Sequence, residues 1–214
     1  MNDSGKSPRP AGLVLTLLFG ALFAALGAAV NAGATMRADD FIRAAVHDWA
    51  SPALTWAANA ASFIGGTPVI CGALAAAVLL LWSTGDRRAS LRLTAVMAAA
   101  LAIDLATKYG FQRIRPEPFF GTEPDSFSFP SGHALFAVAF FVTLLLVVPG
   151  RFRAARTNVF AWSVVLFLVT AIGLSRIYLG VHYPSDVAGG YLAGGVAIAA
   201  VSTVLDRIDF AQPS

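Results

Sequence analysis

The sequence predicts an all-α membrane protein, a bundle of six transmembrane helices in one domain. Of its 214 residues, 57% are hydrophobic and only 13% are charged, whereas soluble domains carry about 25% charged residues. Apolar runs of roughly 17–25 residues, the length that crosses a bilayer, recur along the chain. Because backbone groups in lipid must be hydrogen bonded within their own segment, each run is predicted as a helix.

The six predicted spans are separated by shorter, more polar segments. They are Leu13–Val30, a second that begins near Phe63–Val69 and ends at Trp82, Leu91–Tyr109, Ala134–Val148, Val159–Leu174 and Val187–Leu205. Asp104 interrupts the third. Lys6 and Arg9 before the first span, with small residues after it, would also fit a signal peptide. Its apolar run exceeds the usual 7–15 residues of a signal core, so an uncleaved helix is favoured.

A short amphipathic helix at the membrane interface is predicted between the first two spans. Ile42, Val46 and Trp49 fall at helical spacing, with charged and polar residues between them. These are Asp39, Asp40, Arg43, His47 and Asp48. We expect His47 to be solvated or interfacial. Ser51-Pro52 then predicts an N-cap followed by proline at the first helical position.

Two further features bear on the class of protein. The formal net charge is +3, but the basic residues are scattered between apolar runs, so nucleic-acid binding is not expected. Cys71 is the only cysteine, which excludes an internal disulfide, and its apolar surroundings predict a buried, inert thiol. In the last span, Gly190 and Gly194 form a G-x-x-x-G pattern typical of close helix packing.

Three polar clusters stand at the ends of predicted spans. "DLATKYGFQRIRPEP" closes the third span, "PSGH" opens the fourth, and "SRIYLGVHYPSDVAGG" joins the fifth to the sixth. Because successive helices alternate in direction, all three clusters face the same side of the membrane. A charge in the bilayer centre costs about 2.5–3.5 kcal/mol, so these charges are expected to serve one common site.

The residue types in the clusters indicate a phosphate site. Lys108, Arg115 and Arg176 are three cations without an equal number of carboxylates nearby, and arginine forks and lysine ammonium groups both suit phosphate oxygens. Ser131 and Gly132 stand at a helix start, where free N–H groups and the helix dipole favour an anion. Glycine also allows the backbone to come close to a ligand.

Two histidines add chemistry to this site. His182 precedes Asp186 by four residues, so the carboxylate can accept a hydrogen bond from one ring nitrogen and leave the other free to attack. His133 belongs to a different helix and is available as a proton donor to the leaving oxygen. Together with the cations, these groups predict phosphoryl transfer through a phosphohistidine.

The three clusters resemble the signatures of the type 2 phosphatidic acid phosphatase superfamily. "KYGFQRIRP" is similar to its K-x6-R-P signature, "PSGH" to its second, and "SRIYLGVHYPSD" to S-R-x5-H-x3-D. The motif region is 108–186. The resemblance implies a six-helix integral membrane phosphatase that needs no metal or other cofactor. It also implies a role for each matching residue: His182 as nucleophile, Asp186 as its partner, His133 as general acid, and Lys108, Arg115, Ser131, Gly132 and Arg176 as phosphate ligands.

The implied substrate is a lipid phosphate or diphosphate, such as phosphatidylglycerophosphate, phosphatidic acid or a polyprenyl diphosphate. Soluble branches of the family include acid phosphatases and haloperoxidases, and the membrane spans argue against them. A lipid phosphotransferase, or a non-catalytic binder or transporter of anionic lipids, would keep the same residues. The loop carboxylates Glu117, Glu123 and Asp125 are predicted to be solvated rather than to set specificity or hold a metal.

The distribution of basic residues predicts the sidedness of the protein. Cytoplasmic loops carry the excess of Lys and Arg. Apart from the three phosphate-binding cations, one side holds nine basic residues and the other holds three, Arg37, Arg43 and Arg113. The nine are Lys6, Arg9, Arg87, Arg88, Arg92, Arg151, Arg153, Arg156 and Arg207. The site is therefore predicted to face the periplasm or exterior of a bacterial cytoplasmic membrane.

Overall fold

A computed structural model describes residues 10–121, 125–147 and 158–211, and within these ranges the chain is helical, without strands. We number the helices α1 to α8 in chain order. They are α1 Pro10–Asn31, α2 Met36–His47, α3 Pro52–Ile64, α4 Thr67–Ser83, α5 Arg87–Phe111, α6 Gly132–Val147, α7 Val159–Tyr178 and α8 Pro184–Ala211. Helix α6 contains one π-helical turn at Val138–Val142.

Four of the described helices, α1, α5, α7 and α8, are long and apolar enough to cross a membrane. Helices α3 and α4 meet at an angle of 46° and would add a fifth span if they cross as one bent pair. The predicted span Ala134–Val148 corresponds to α6, which is shorter, and Val148 lies outside the described residues. The all-helical class is therefore confirmed, whereas a count of six spans stays a prediction.

Local sequence explains where several helices begin and end. Ser51 caps α3 by accepting a hydrogen bond from the Leu54 N–H at 3.3 Å, and Pro52 occupies the first helical position, as predicted. Asp86 caps α5 in the same way through the Ala89 N–H. Helix α5 ends where Gln112 adopts a left-handed conformation, with φ of 48°. This turn sends the chain back across the end of the bundle.

The core lies where α5, α6 and α8 meet. Leu93 and Val96 on α5 and Leu135 on α6 are fully buried there. Helix α8 approaches α6 through its glycines, as the sequence predicts: a Cβ at Gly190 would lie 2.5 Å from the Ser131 carbonyl oxygen, and one at Gly194 would lie 2.8 Å from Cβ of Val138. The start of α6 is thus fixed against α8.

The outer surface of the bundle is apolar. Large hydrophobic side chains such as Leu79 on α4 and Phe167 on α7 are 69% and 71% exposed, as expected for side chains that face lipid. Cys71 is also exposed on α4. The prediction of a buried thiol is therefore wrong, because an apolar run in a membrane helix has a lipid-facing side as well as a packed one.

Helix α2 forms where the amphipathic segment is predicted, but two of its polar residues are not solvated. Asp39 is only 2% exposed, and His47 stacks on the ring of Phe119 with 4.0 Å between ring centroids. Arg43 lies over the same ring and donates to the Glu117 carbonyl oxygen. Part of the polar face of α2 thus packs on the loop after α5. Its position at a membrane interface stays a prediction.

Candidate active site

The three motif clusters meet at one end of the bundle. Lys108, Arg115, Arg176 and His182 all lie within electrostatic reach of His133. The backbone N–H of Ser131 donates to the Asp186 carbonyl oxygen at 3.0 Å. A Cβ at Gly132 would lie 3.2 Å from Nζ of Lys108. All eight residues selected from the sequence therefore share one site, formed by the end of α5, the start of α6, the end of α7 and the start of α8.

His182 is held on both sides of its ring. It lies in the loop between α7 and α8, and 2% of it is exposed. Nδ1 faces Oδ2 of Asp186 at 3.4 Å, and Nε2 lies 2.8 Å from a terminal nitrogen of Arg115. A guanidinium can only donate, so Nε2 accepts and the ring proton is on Nδ1. The ring nitrogen that carries a lone pair is thus the one directed at Arg115.

The environment of His182 keeps its imidazole neutral. Burial lowers the pKa of His182 to about 4, the positive charges of Arg115 and Arg176 act in the same direction, and Asp186 opposes them. Burial disfavours the charged form of an imidazole because the interior solvates an ion poorly. At neutral pH the ring is therefore uncharged, which is the form that a nucleophilic attack requires.

Asp186 is fully buried in the first turn of α8, with both carboxylate oxygens occupied. Oδ2 accepts from the Ser128 hydroxyl at 2.5 Å and from the Tyr183 N–H at 2.8 Å, and Oδ1 accepts from Arg113 at 2.6 Å. The 3.4 Å approach to His182 is long for a hydrogen bond, as is common for catalytic contacts without substrate. The carboxylate cannot rotate away from the imidazole without losing these partners.

Arg115 fixes the loop after α5 as well as facing His182. Its Nε donates to the Ser126 carbonyl oxygen at 2.6 Å, and its terminal nitrogens donate to the carbonyl oxygens of Val181 and Phe127 at 2.8 and 3.2 Å. The arginine thereby joins the loop before α6 to the loop before α8. These hydrogen bonds hold the positive charge of Arg115 next to the imidazole of His182.

A group of polar atoms on the other side of the site has no hydrogen-bond partner in the part of the chain that the structure describes. The Ser131 hydroxyl and Nε of Arg176 are buried and make no hydrogen bond within the described residues. Arg176 uses one terminal nitrogen on the Ser62 hydroxyl of α3. His133, at the second position of α6, is partly buried and forms no hydrogen bond to another described residue. Buried polar groups are usually satisfied, so these atoms indicate a place for a polar ligand.

Lys108 differs from the sequence prediction. Its Nζ lies 2.8 Å from both carboxylate oxygens of Asp104, one turn earlier on α5, and Asp104 is 6% exposed. In the sequence, carboxylates are fewer than cations and none of them is assigned to Lys108, whereas the structure pairs Lys108 with Asp104. The spacing of four residues places both side chains on one face of the helix, so the sequence did contain a signal for this pair.

Three other contributors to the site were missed. Arg113 was assigned to the topological charge count, but it is paired with Asp186 and with Asp39 of α2, and Ser128 donates to Asp186. Arg113 lies inside the K-x6-R-P signature, which offered a hint. Asp39 is separated from Ser185 by 146 positions along the sequence, and no local pattern predicts such a contact.

An open cavity of about 650 Å³ adjoins two of the cations that the sequence predicts to bind phosphate. It is lined by charged side chains, among them Lys108 and Arg115, and by the apolar side chains of Leu105, Tyr109 and Phe127. Asp125 is exposed at its rim, as predicted for a loop carboxylate, whereas Glu123 lies outside the described residues. The cavity thus offers both a polar and an apolar surface beside the site.

Comparison with known proteins identifies several relatives. Phosphatidylglycerophosphatase B of Bacillus subtilis is 29% identical over 180 residues, which cover 80% of this chain and 85% of the relative. The undecaprenyl-diphosphatase of Sulfolobus acidocaldarius is 32% identical over 124 residues, 54% of this chain and 55% of the relative. The chain therefore matches only about half the length of the second protein.

The fold is also shared with a solved structure. The crystal structure of a transmembrane PAP2-type phosphatidylglycerolphosphate phosphatase from B. subtilis superimposes with a TM-score of 0.79, covering 90% of this chain and 96% of that one, at 23% identity. The family model of the PAP2 superfamily matches residues 89–209, which contain all three signatures. The chain belongs to the PAP2 superfamily.

Proposed function

We propose that this protein hydrolyses the phosphate or diphosphate group of a membrane lipid, without a metal ion, through a phosphohistidine at His182. The observation that carries the proposal is the arrangement of two unlike regions. One is a buried neutral imidazole held by Asp186, and opposite it lie the Ser131 hydroxyl and Nε of Arg176, two buried donors without a partner among the described residues. A phosphate group between them would satisfy the free donors and meet the nucleophile.

In the first half-reaction, Nε2 of His182 attacks phosphorus and forms a P–N bond. The P–O bond to the leaving group breaks, and protonated His133 gives its proton to the departing oxygen. Lys108, Arg115 and Arg176 neutralise the phosphoryl oxygens, assisted by the N–H groups at the start of α6. Arg115 must exchange Nε2 of His182, its partner at 2.8 Å, for a phosphoryl oxygen as substrate binds.

In the second half-reaction, neutral His133 accepts a proton from water, and the oxygen of that water attacks phosphorus. The P–N bond breaks, inorganic phosphate leaves, and His182 returns to its neutral form while His133 is again protonated. Asp186 stabilises the imidazole during the interval when it carries the phosphoryl group. A lipid phosphotransferase would replace this water by an alcohol acceptor, and a non-catalytic binder or transporter would carry out neither step.

The proposed substrate is a lipid because the cavity combines Lys108 and Arg115 with Leu105, Tyr109 and Phe127. The names of the relatives add two candidates, phosphatidylglycerophosphate and a polyprenyl diphosphate, and we add phosphatidic acid. We expect detergent-purified protein to release phosphate from at least one of the three, presented at equal surface concentration, in the presence of a chelator. Absence of release from all three would favour the binder or transporter, and a phosphorylated acceptor among the products would favour the transferase.

We further propose six spans, with α3–α4 as one bent span and α6 as another, and a site facing the periplasm of a bacterial inner membrane. The structure strengthens the charge argument: Arg113 is paired with Asp186 and Asp39, so only Arg37 and Arg43 remain as unassigned basic residues on the site side. Nine against two then favours this orientation.

Cysteine labelling tests the orientation. Cys71 is exposed on α4, so the background variant is Cys71→Ser. Asp125 and Ser83 are both exposed, one beside the site and one at the opposite end of the bundle. An impermeant maleimide on intact cells should label Asp125→Cys and spare Ser83→Cys. The reverse pattern would place the site on the cytoplasmic side.

A further inference from the structure

A buried cluster of charges lies behind Asp186, on the side away from His182. Arg113 donates from one terminal nitrogen to Oδ1 of Asp186 at 2.6 Å and from the other to Oδ2 of Asp39 at 2.8 Å. Ser185, the neighbour of Asp186 in the chain, donates its N–H and its hydroxyl to Asp39, at 2.9 and 2.6 Å, and its hydroxyl oxygen accepts from Arg113 at 2.7 Å. The chain of contacts runs from α2, through the loop after α5, to the start of α8.

This cluster is almost completely shielded from solvent. The side chains of Arg113, Asp39 and Asp186 are 10%, 3% and 0% exposed, and the Arg113 guanidinium lies 4.1 Å from the centre of the Tyr183 ring. Burying charges is costly, and removing one member of such a group leaves an uncompensated buried charge. Apolar side chains could replace a group of charges that only stabilised the fold. The contact of Arg113 with Asp186, the carboxylate beside the proposed nucleophile, therefore points to a role in catalysis.

We propose that Arg113 and Asp39 are positioning residues that hold the Asp186 carboxylate in place and set how much of its negative charge acts on His182. The proposal rests on the proposed phosphohistidine chemistry. Arg113 occupies Oδ1 and leaves Oδ2 directed at the imidazole, which fixes the plane of the carboxylate. Asp39 balances Arg113, so that the guanidinium does not neutralise Asp186 completely. Helix α2 thereby belongs to the catalytic unit.

The two positioning residues are expected to act on the acidity of His182 in opposite directions. The other charged or titratable groups near His182 are Arg115 from the loop after α5, His133 from α6, Arg176 from α7 and Asp186 from α8. Without the positive charge of Arg113, the negative charge of Asp186 is no longer compensated and favours the protonated ring of His182. Removing the negative charge of Asp39 leaves Arg113 uncompensated and favours the neutral ring.

The test compares Arg113→Gln, Asp39→Asn and the double variant in the full-length, detergent-purified protein. Each single variant should lower kcat by about 10- to 100-fold, the scale observed for groups that orient a functional imidazole. KM should change less than about threefold, because the phosphate ligands are untouched. The acid limb of the kcat/KM profile should move to higher pH in Arg113→Gln and should stay or move lower in Asp39→Asn. The double variant should bring the limb back near its original position without restoring kcat.

Two further variants keep the test decisive. Asp40→Asn makes the same change one residue away on α2, where the side chain is 60% exposed, and should retain full activity. Arg113→Lys preserves the charge but cannot donate to Asp186 and Asp39 from two terminal nitrogens at once. It should leave the acid limb in place and lower kcat. It replaces Arg113→Gln if that variant does not fold. Equal activity of Asp39→Asn and Asp40→Asn, or acid limbs that move in the same direction in Arg113→Gln and Asp39→Asn, would overturn the proposal. Activity in His182→Ala would instead overturn the proposed function itself.

Discussion

The two halves of the site differ in how completely their polar atoms are satisfied. Around the nucleophile, Asp186 has partners on both oxygens, and His182 has one beside each ring nitrogen. We call the proposed phosphate ligands the phosphate cradle: Lys108, Arg115, Ser131, Gly132 and Arg176. In this cradle, Nε of Arg176 and the Ser131 hydroxyl have no hydrogen-bond partner within the described chain. Under the proposed function, this contrast is a division of labour: contacts within the protein orient His182 as the nucleophile, and the substrate supplies the contacts that bind the phosphate.

Removing the nucleophile should produce the largest effect. His182→Ala should lower single-turnover phosphate release by at least about 10³-fold and abolish the phosphoenzyme, because the P–N bond is proposed to form at Nε2 of His182 while His133 is assigned to the leaving oxygen. Asp186→Asn should retain the phosphoenzyme but form it slowly, since the amide keeps the shape of the side chain and loses its charge. Acid-quenched labelling with a phosphate-labelled lipid measures both. A phosphoenzyme in His182→Ala would identify a different nucleophile.

The residues of the three motifs were easier to predict from the sequence than the contacts behind His182. The proposed phosphate ligands and both histidines belong to motifs in which spacing fixes the geometry: Arg176 stands in the last turn of α7 and Gly132 at the start of α6. The contacts behind the nucleophile depend on tertiary packing. Asp39 reaches Ser185 only because α2 packs against the start of α8, and a charged residue on a short amphipathic helix gives no sign of burial.

The fold shows the same limit. Long apolar runs located the helices because their length and composition suffice, and the glycines of α8 predicted the close contact with α6. The orientation of each helix about its axis was not predictable in the same way. Cys71 faces outward and Asp104 faces inward, although both lie in apolar runs with no strong one-sided pattern.

The second-largest effect should separate the two histidines. His133 belongs to the incompletely satisfied half and is proposed to protonate the leaving oxygen. His133→Ala should therefore lose about 10²- to 10⁴-fold on a lipid phosphate and less than about tenfold on an aryl phosphate, whose leaving group needs little protonation. The measurement is kcat for both substrates with one enzyme preparation. Equal losses on the two substrates would assign His133 to binding rather than to proton donation.

The pH profile tests the other histidine without mutation. Since burial lowers the pKa of His182 to about 4, the nucleophile is protonated, and activity lost, only as pH falls through about 4. An ordinary solvated histidine, with a pKa of 6.5, would place the same limb near pH 6.5. The acid limb of the kcat/KM profile, which reports groups of the free enzyme, should thus lie near pH 4, and the basic limb should report the loss of the proton that His133 gives to the leaving oxygen. An acid limb above pH 6 would show that the imidazole is more solvated than its surroundings indicate.

The smallest effect concerns Lys108, a proposed phosphate ligand that forms an ion pair with Asp104. Inorganic phosphate must share Lys108 with the carboxylate of Asp104, so Asp104→Asn should free the ammonium group and strengthen competitive inhibition by phosphate. A part-exposed ion pair is worth about 1 kcal/mol, so we expect the inhibition constant to fall about fivefold. Lys108→Met should raise it instead.

The exposed pair Arg92–Asp206, with 2.6 Å between nitrogen and oxygen, provides the matched control. Asp206→Asn removes the same charge at the other end of the bundle and should leave phosphate inhibition unchanged. Weaker inhibition in Asp104→Asn would mean that the carboxylate orients Lys108 toward the phosphate rather than competing with it. Lys108 would then belong with the fully held nucleophile half of the site.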